Sequence, residues 1–250
     1  MSNIKYGVFG AGHLGHAVCA ALHSGAQVPI ADIYIGVRPE KAEPQNGVFG
    51  SLPELSKAAD VVFLTVRPGV FRELSRELAK TDYSGKTIVS CMAGVSSAEL
   101  TAALPGAEII LAMPTTSIED GSGIIAYTHC PEELARVFGT FGIAVETTEA
   151  ELPKYTAFSG CGLGFAARMI SAYISAGTAL GLNEADCRDI AQALFTSAAK
   201  GDPKATVTAV ATPGGVTERG ITAMETEPGN IDELAARAVS AAYDKVRGKA

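Results

Sequence analysis

Through its first half the chain alternates short apolar runs with stretches in which apolar residues return every three to four positions. That is the pattern of a parallel sheet joined by crossover helices. The runs predict strands at Lys5–Phe9, Asp32–Val37, Val61–Val66, Thr87–Cys91, Glu108–Ala112 and Gly123–Tyr127. Between them, Ser51-x-x-Glu54 and Ser96-x-x-Glu99 read as capping boxes, each setting a hydroxyl and a carboxylate against otherwise unpaired helix N–H groups. Pro131, followed by Glu132 and Glu133, marks a third helix start. After about Glu146 the strand-like runs stop. The remainder is Ala-rich with helical spacing, broken at Gly181-Leu182-Asn183, at Pro203 and over Thr212–Thr217. Asn183 with Asp186, and Asn230 with Glu233, read as N-caps, and the last helix should run from Ile231 to near Val246. The pattern therefore predicts an α/β protein: a doubly wound parallel sheet over residues 1–148 and an all-helical domain over residues 149–250. Roughly a hundred Ala-rich helical residues make a thin core, so this second part should complete its burial against another subunit.

Composition narrows the function classes. The 250 residues are 47% hydrophobic and 19% charged, enough apolar material for a sizeable core and too apolar for disorder. With 27 acidic against 20 basic residues the net charge is -7, which repels phosphate backbones and argues against nucleic-acid or anionic-membrane partners. The five cysteines (Cys19, Cys91, Cys130, Cys161, Cys187) are odd in number and contain no C-x-x-C, so neither a disulfide framework nor a zinc ribbon is expected. The apolar stretch to Leu22 is interrupted by glycines, His13 and His16, and reads as strand, loop and helix rather than as a secretory signal. Gly160–Leu182 carries Arg168, Ser171, Ser175 and Thr178, which fits a helix buried in protein better than one in lipid. A reducing, cytoplasmic setting is the expectation.

The strongest local motif is Gly10-Ala11-Gly12-His13-Leu14-Gly15, directly after the first strand and opening a helix. Dinucleotide binding at such a turn requires glycine three times: for the tight turn, for close approach of the pyrophosphate, and for packing of helix on strand. The helix N-terminus adds free N–H groups and partial positive charge. The second strand ends in Arg38 and Lys41, cations that favour the extra phosphate of NADP(H), with NAD(H) possible; the alternative is that both are solvated surface charges and Glu40 holds the ribose. Two further strand ends, Thr65-Val66-Arg67-Pro68 and Ala112-Met113-Pro114-Thr115-Thr116, are candidates for the nicotinamide side, because ligands of open α/β sheets lie beyond the carboxyl ends of strands; the alternative is that both are simply strand-ending loops. In the helical half, Thr212-Pro213-Gly214-Gly215-Val216-Thr217 precedes a helix and can present several N–H groups and hydroxyls to a small carboxylate, or serve simply as a helix-linking turn. Ser159-Gly160-Cys161-Gly162 allows close approach of a ligand or another backbone. His13, His16 and Cys19 share a helix face but lack a fourth ligand, so no metal site is expected.

At this point the chain resembles the pyrroline-5-carboxylate reductase family over nearly its whole length. The resemblance runs through the glycine-rich turn, Asp60–Pro68, Ala93-Gly94-Val95, Met113-Pro114, Ser159-Gly160-x-Gly162 and Pro213-Gly214-Gly215-x-Thr217, the last two blocks being the most specific. It implies a Rossmann domain followed by a helical dimerisation domain, and NADPH-dependent reduction of the C=N bond of a small cyclic imino acid. It also implies that Gly10, Gly12, His13, Leu14, Gly15, Arg38, Lys41, Val66, Arg67, Pro68, Ala93, Met113, Pro114 and Thr115 face the cofactor. The substrate carboxylate would lie on Gly214 and Gly215, among Ser159, Gly160, Cys161, Thr212 and Val216, with Thr217 bonded to the imine nitrogen. The chain departs from the family pattern in having Leu111-Ala112 where an Arg usually precedes Met-Pro, Thr115 where Asn follows it, and Cys161 and Phe165 where Ser and Tyr are usual. Those changes leave open a different imine or carbonyl substrate, or a non-catalytic NADP-binding regulatory protein.

Overall fold

The computed structural model describes residues 4–37, 47–226 and 229–248. The chain forms two compact units, Met1–Gly160 with Tyr243–Ala250, and Cys161–Ala242.

The first unit is built on one eight-stranded sheet. Its strands are β1 (Tyr6–Phe9), β2 (Ile33–Gly36), β3 (Val48–Phe49), β4 (Val61–Leu64), β5 (Thr87–Ser90), β6 (Glu108–Pro114), β7 (Gly123–Tyr127) and β8 (Gly142–Glu146), in the order β3-β2-β1-β4-β5-β6-β7-β8. Strands β1 to β6 run parallel, β7 is antiparallel to β6, and β8 is parallel to β7. The chain winds outward from β1 to β3 and then returns to place β4 on the other side of β1, which puts the topological switch between β1 and β4. The connecting helices are α1 (His13–Ala20), α2 (Leu52–Ala58), α3 (Pro68–Leu78), α4 (Ser97–Ala103) and α5 (Glu132–Gly139), followed by the short α6 (Leu152–Tyr155).

Alternation along the strands divides the core between the two faces. Tyr6, Val8, Phe63, Val89 and Ile110 pack on one side with Val18, Leu22 and Phe138, while Phe9, Val62, Leu64, Ile88 and Leu111 pack on the other with Leu55, Phe71 and Leu100. Both faces are thus covered, as a parallel sheet requires. Both expected capping boxes supply the hydroxyl: Ser51 Oγ accepts from Glu54 N at 3.4 Å and Ser96 Oγ from Glu99 N at 3.1 Å.

Several boundaries differ from expectation. Strand β4 stops at Leu64, and the hydroxyl of the next residue, Thr65, donates to Gly10 O in the turn after β1. Strand β6 runs two residues past Ala112, since Met113 and Pro114 pair with Ala126 and Ile125 of β7. Two strands were not foreseen. The two-residue β3 pairs with Ile35 and Gly36, and β8 is an edge strand whose Ile143 is 64% exposed, so it lacks a continuous apolar signal.

The second unit contains α7 (Gly162–Ala179), α8 (Glu184–Ala198), α9 (Pro203–Val210), α10 (Val216–Thr226) and most of α11 (Ile231–Val246). Asn183 Oδ1 caps α8 by accepting from Ala185 N and Asp186 N, and Asn230 Oδ1 accepts from Glu233 N at the start of α11. Helices α7 and α8 touch closely: a Cβ at Gly177 would lie 2.7 Å from Cys187 Sγ. The expectation that the Gly160–Leu182 helix is buried in protein does not hold within one chain, because α7 has no buried residue. Among the described residues the unit's buried apolar side chains are only Cys187 and Ala191, too few to enclose it, and Leu163, Tyr173, Leu180, Ile190 and Leu194 stand about half exposed or more. No described helix is long and apolar enough to cross a membrane.

Candidate dinucleotide and substrate sites

The carboxyl end of β1 delivers the chain into a turn that only glycine can make. Gly10 has φ +125° and donates its N–H to Gly36 O at 2.8 Å. Gly15 lies on the buried side of α1, where a Cβ would fall 1.8 Å from Gly10 O. Gly12, by contrast, has nothing within 4 Å of such a Cβ, so the approach to the turn is open there. The three glycines thus divide between turn geometry, helix–strand contact and access, as the dinucleotide motif requires.

Gly12 is also the N-cap of α1, with no side chain bonded to the helix N-terminus and no acidic residue in the first turn. Unpaired N–H groups and the positive end of the helix dipole therefore meet an open approach, which fits a bound pyrophosphate. His13 is exposed and Leu14 half-buried at that opening.

Thr65 opens the strand-end segment expected on the nicotinamide side. Its hydroxyl is 2.8 Å from Gly10 O and 3.3 Å from Phe9 O, and its N–H donates to Phe9 O at 3.0 Å. It fastens β4 to the glycine turn at the topological switch. Beyond it, Val66 is half-buried, and exposed Arg67 caps α3, which opens at Pro68. The loop carrying exposed Ala93 is held by Arg72, which donates to Gly94 O at 2.9 Å and to Glu99 at 2.8 Å.

Thr115 is placed differently from a ligand-facing hydroxyl. It is buried, its Oγ1 accepts from Ile124 N at 2.9 Å and lies 3.0 Å from Ser117 Oγ, and its N–H donates to Ile124 O. It closes the β6–β7 connection after Met113 and Pro114. Arg38 and Lys41, together with Glu40, lie outside the described residues.

Ser159 and Gly160 belong to the first unit, in a π-turn over Thr156–Gly160. Ser159 is buried and donates to Tyr155 O at 2.7 Å. Cys161 begins the second unit as the N-cap of α7.

Within the second unit, Thr212, Pro213, Gly214 and Gly215 form a tight turn. Gly215 N donates to Thr212 O at 2.8 Å, Pro213 stands second and Gly214, third, has φ +74°, the conformation that makes Pro-Gly the natural pair for a type II turn. The turn leads straight into α10, so Val216 and Thr217 occupy its first turn, both exposed. Among the described residues the Thr217 hydroxyl has no hydrogen-bond partner. Gly214 N, however, donates to Glu218 Oε2 at 2.6 Å. Both glycine amides expected to receive a carboxylate therefore already have acceptors within the chain. Glu218 escaped the sequence reading; the signal was a carboxylate in the first turn of the helix, where a side chain can reach back to the preceding backbone.

Cys19, Cys91 and Cys130 do not supply reactive thiolates. Burial pushes Cys91 up to about 12, and Cys19 and Cys130 up to about 11, so these thiols stay protonated at neutral pH. Among the described residues, no group of three or more His, Cys, Asp or Glu side chains is placed to share a metal ion.

The glycine turn at the switch point of a doubly wound sheet, with an all-helical C-terminal half, defines a Rossmann-type dinucleotide-binding protein. Residues 149–249 match the family described as pyrroline-5-carboxylate reductase dimerisation, and residues 5–94 match that described as NADP oxidoreductase, coenzyme F420-dependent. Pyrroline-5-carboxylate reductase of Staphylococcus saprophyticus is 26% identical over 245 residues, covering 88% of this chain and 89% of that protein. The Escherichia coli reductase of the same name is 27% identical over 241 residues, covering 88% and 90%. A solved structure of Plasmodium falciparum pyrroline carboxylate reductase with NADP bound aligns with a TM-score of 0.86 at 22% identity, covering 100% of this chain and 99% of that one. Residues 149–249 thus carry a pyrroline-5-carboxylate reductase dimerisation domain, which points to a homo-oligomer.

Proposed function

We propose that the protein is an NAD(P)H-dependent reductase that converts L-pyrroline-5-carboxylate to L-proline in proline biosynthesis, in the cytoplasm, as a homodimer or higher homo-oligomer. NADP(H) is the preferred cofactor and NAD(H) a usable one. Residues 1–148 serve as the dinucleotide-binding domain and residues 149–250 as the substrate and dimerisation domain. The observation that carries the reading is the Thr212–Gly215 turn running directly into the N-terminus of α10, with the Thr217 hydroxyl exposed beside it.

The chain's residues divide the work as follows. Gly10, Gly12, His13, Leu14 and Gly15 receive the pyrophosphate, and Arg38 and Lys41 the additional phosphate. Val66, Arg67, Pro68, Ala93, Met113 and Pro114 border the nicotinamide half, while buried Thr115 braces the β6–β7 connection. When bound, NADPH supplies the hydride. The Gly214-Gly215 turn, with Thr212 and Val216 beside it, takes the substrate carboxylate and so fixes the imine ring; Ser159, Gly160 and Cys161 are the further residues assigned to the substrate. Thr217 hydrogen-bonds the imine nitrogen. A threonine hydroxyl is too weak an acid to give up its proton outright, so Thr217 orients the nitrogen and relays a proton from water. Catalysis then rests mainly on positioning an electrophilic C=N at near-attack distance.

Thr217→Ala tests this assignment. One hydrogen bond made to the reacting nitrogen is worth about 1.5–3 kcal/mol, so kcat/KM for pyrroline-5-carboxylate should fall about 10- to 100-fold while NADPH affinity stays unchanged. An unchanged kcat/KM removes Thr217 from the chemistry. A second reading, reduction of an imine or carbonyl that lacks a carboxylate, is favoured by the Glu218 carboxylate already bonded to Gly214 N.

A further inference from the structure

We infer that Glu218 is a specificity-determining gate, an in-chain carboxylate that competes with the carboxylate of the substrate for the Gly214 N–H. The inference rests on the reading of the Gly214-Gly215 turn as the carboxylate site. Three features carry it. Gly214 N donates to Glu218 Oε2 at 2.6 Å, a short, charge-assisted bond of the kind an anionic ligand would make there. The neighbouring amide is committed as well, because Gly215 N closes the turn on Thr212 O at 2.8 Å. The turn also borders a groove of about 550 Å³ lined by Gly214, Gly215, Glu218, Arg219 and Thr222, so a ligand entering the groove meets the Glu218 carboxylate beside the amide it needs.

Because Glu218 is exposed, its side chain can swing clear without breaking a packed contact. A substrate carboxylate binds only the swung-out fraction, so its apparent affinity is reduced by that fraction. A carboxylate at an exposed helix N-terminus is worth up to about 1 kcal/mol, which sets the reduction at about 5-fold. A ligand without a carboxylate feels no such competition. Glu218 thereby lowers the preference of the site for carboxylated imines relative to neutral ones.

The test compares wild type with Glu218→Gln and Glu218→Asp on two substrates, L-pyrroline-5-carboxylate and 1-pyrroline, the same ring without the carboxylate. The gate predicts that Glu218→Gln lowers KM for the carboxylated substrate about 5-fold and leaves KM for 1-pyrroline unchanged. Glu218→Asp keeps the charge but is one C–C bond, about 1.5 Å, too short to hold Gly214 N, so it should lower KM as well. If Asp behaves as wild type and only Gln lowers KM, the effect is one of field rather than competition, and the gate is refuted. Equal shifts for both substrates refute it too. Should wild type reduce neither compound, calorimetric titration with L-proline and with pyrrolidine in the presence of NADP+ separates the two readings. Tighter L-proline binding by both variants upholds the gate while the proposed reaction fails. Equal affinity across the three proteins, or binding to none of them, overturns the gate.

Discussion

Gly15→Ala and Gly12→Ala make opposite demands on the glycine turn. At Gly15 the new Cβ would lie 1.8 Å from Gly10 O, well inside any permitted carbon–oxygen contact, and the obstructing atom is backbone rather than the end of a flexible side chain. Relief requires α1 to move off the β1 turn, where Ala17 and Val18 are packed into the core. Overpacking of this kind costs about 1–3 kcal/mol, and a backbone–backbone overlap belongs at the upper end. For a chain of this size about 3 kcal/mol corresponds to a fall in Tm of roughly 6–12 °C. At Gly12 a Cβ meets nothing within 4 Å, and the residue's φ of -91° suits alanine. The loss of a good N-cap and the reduced freedom of the unfolded chain are each worth less than about 1 kcal/mol and oppose one another, so Tm should hold within about 2 °C. The same methyl group stands in the open approach to the helix N-terminus and should raise KM for NADPH about 10-fold or more. Thermal denaturation at fixed protein concentration, paired with NADPH titration, reads both. The reasoning fails if Gly15→Ala is as stable as wild type, or if Gly12→Ala binds NADPH normally.

Three further outcomes follow from the sequence and the structure. Asn183→Ala removes the acceptor of two N–H groups at the start of α8 and should cost about 1 kcal/mol, read as a Tm lower by roughly 2–4 °C; an unchanged Tm would mean the cap contributes nothing. Arg38→Glu should weaken NADPH about 10-fold more than NADH in fluorescence titrations, and equal effects on both would remove Arg38 from phosphate recognition. Burial holds the thiol of Cys91 up at about 12 and those of Cys19 and Cys130 at about 11, against 9.0 ordinarily. The unfolded chain therefore loses these protons first as pH rises. The stabilisation is complete below about pH 9 and is lost progressively between pH 9 and about 11–12, so denaturant midpoints should fall across that window; a flat profile there contradicts the assignment.

Where local chemistry alone decided the structure, the sequence was easy to read. Asn230 followed by a strongly periodic segment predicted α11 with its observed limits, and the Ser51 and Ser96 caps form as expected because a hydroxyl three residues before a helix N–H has few other partners. The Gly10–Gly15 motif likewise carried its geometry, since each glycine answers a different steric demand. What tertiary pairing decides was not readable. Met113 and Pro114 extend β6 only because β7 returns antiparallel beside them, and β8 is a half-exposed edge whose pairing with β7 is set at a distance in the chain. In the candidate site, the two glycines before α10 were evident, but the destination of their N–H groups was not. Gly215 donates to the turn itself and Gly214 to Glu218, a pairing that depends on a side-chain conformation no spacing rule supplies. The hydroxyls of Thr115 and Ser159 show the same limit: each was expected to face a ligand and each has a backbone partner instead.

The most direct test of the central claim is the rate of NADPH oxidation by the purified protein with L-pyrroline-5-carboxylate, with and without the imine and repeated with NADH. The account predicts turnover that requires the imine, yields L-proline and is faster with NADPH than with NADH. Firm NADPH binding without any imine-dependent oxidation would contradict it, leaving the protein a reader of the dinucleotide or a reductase of another substrate.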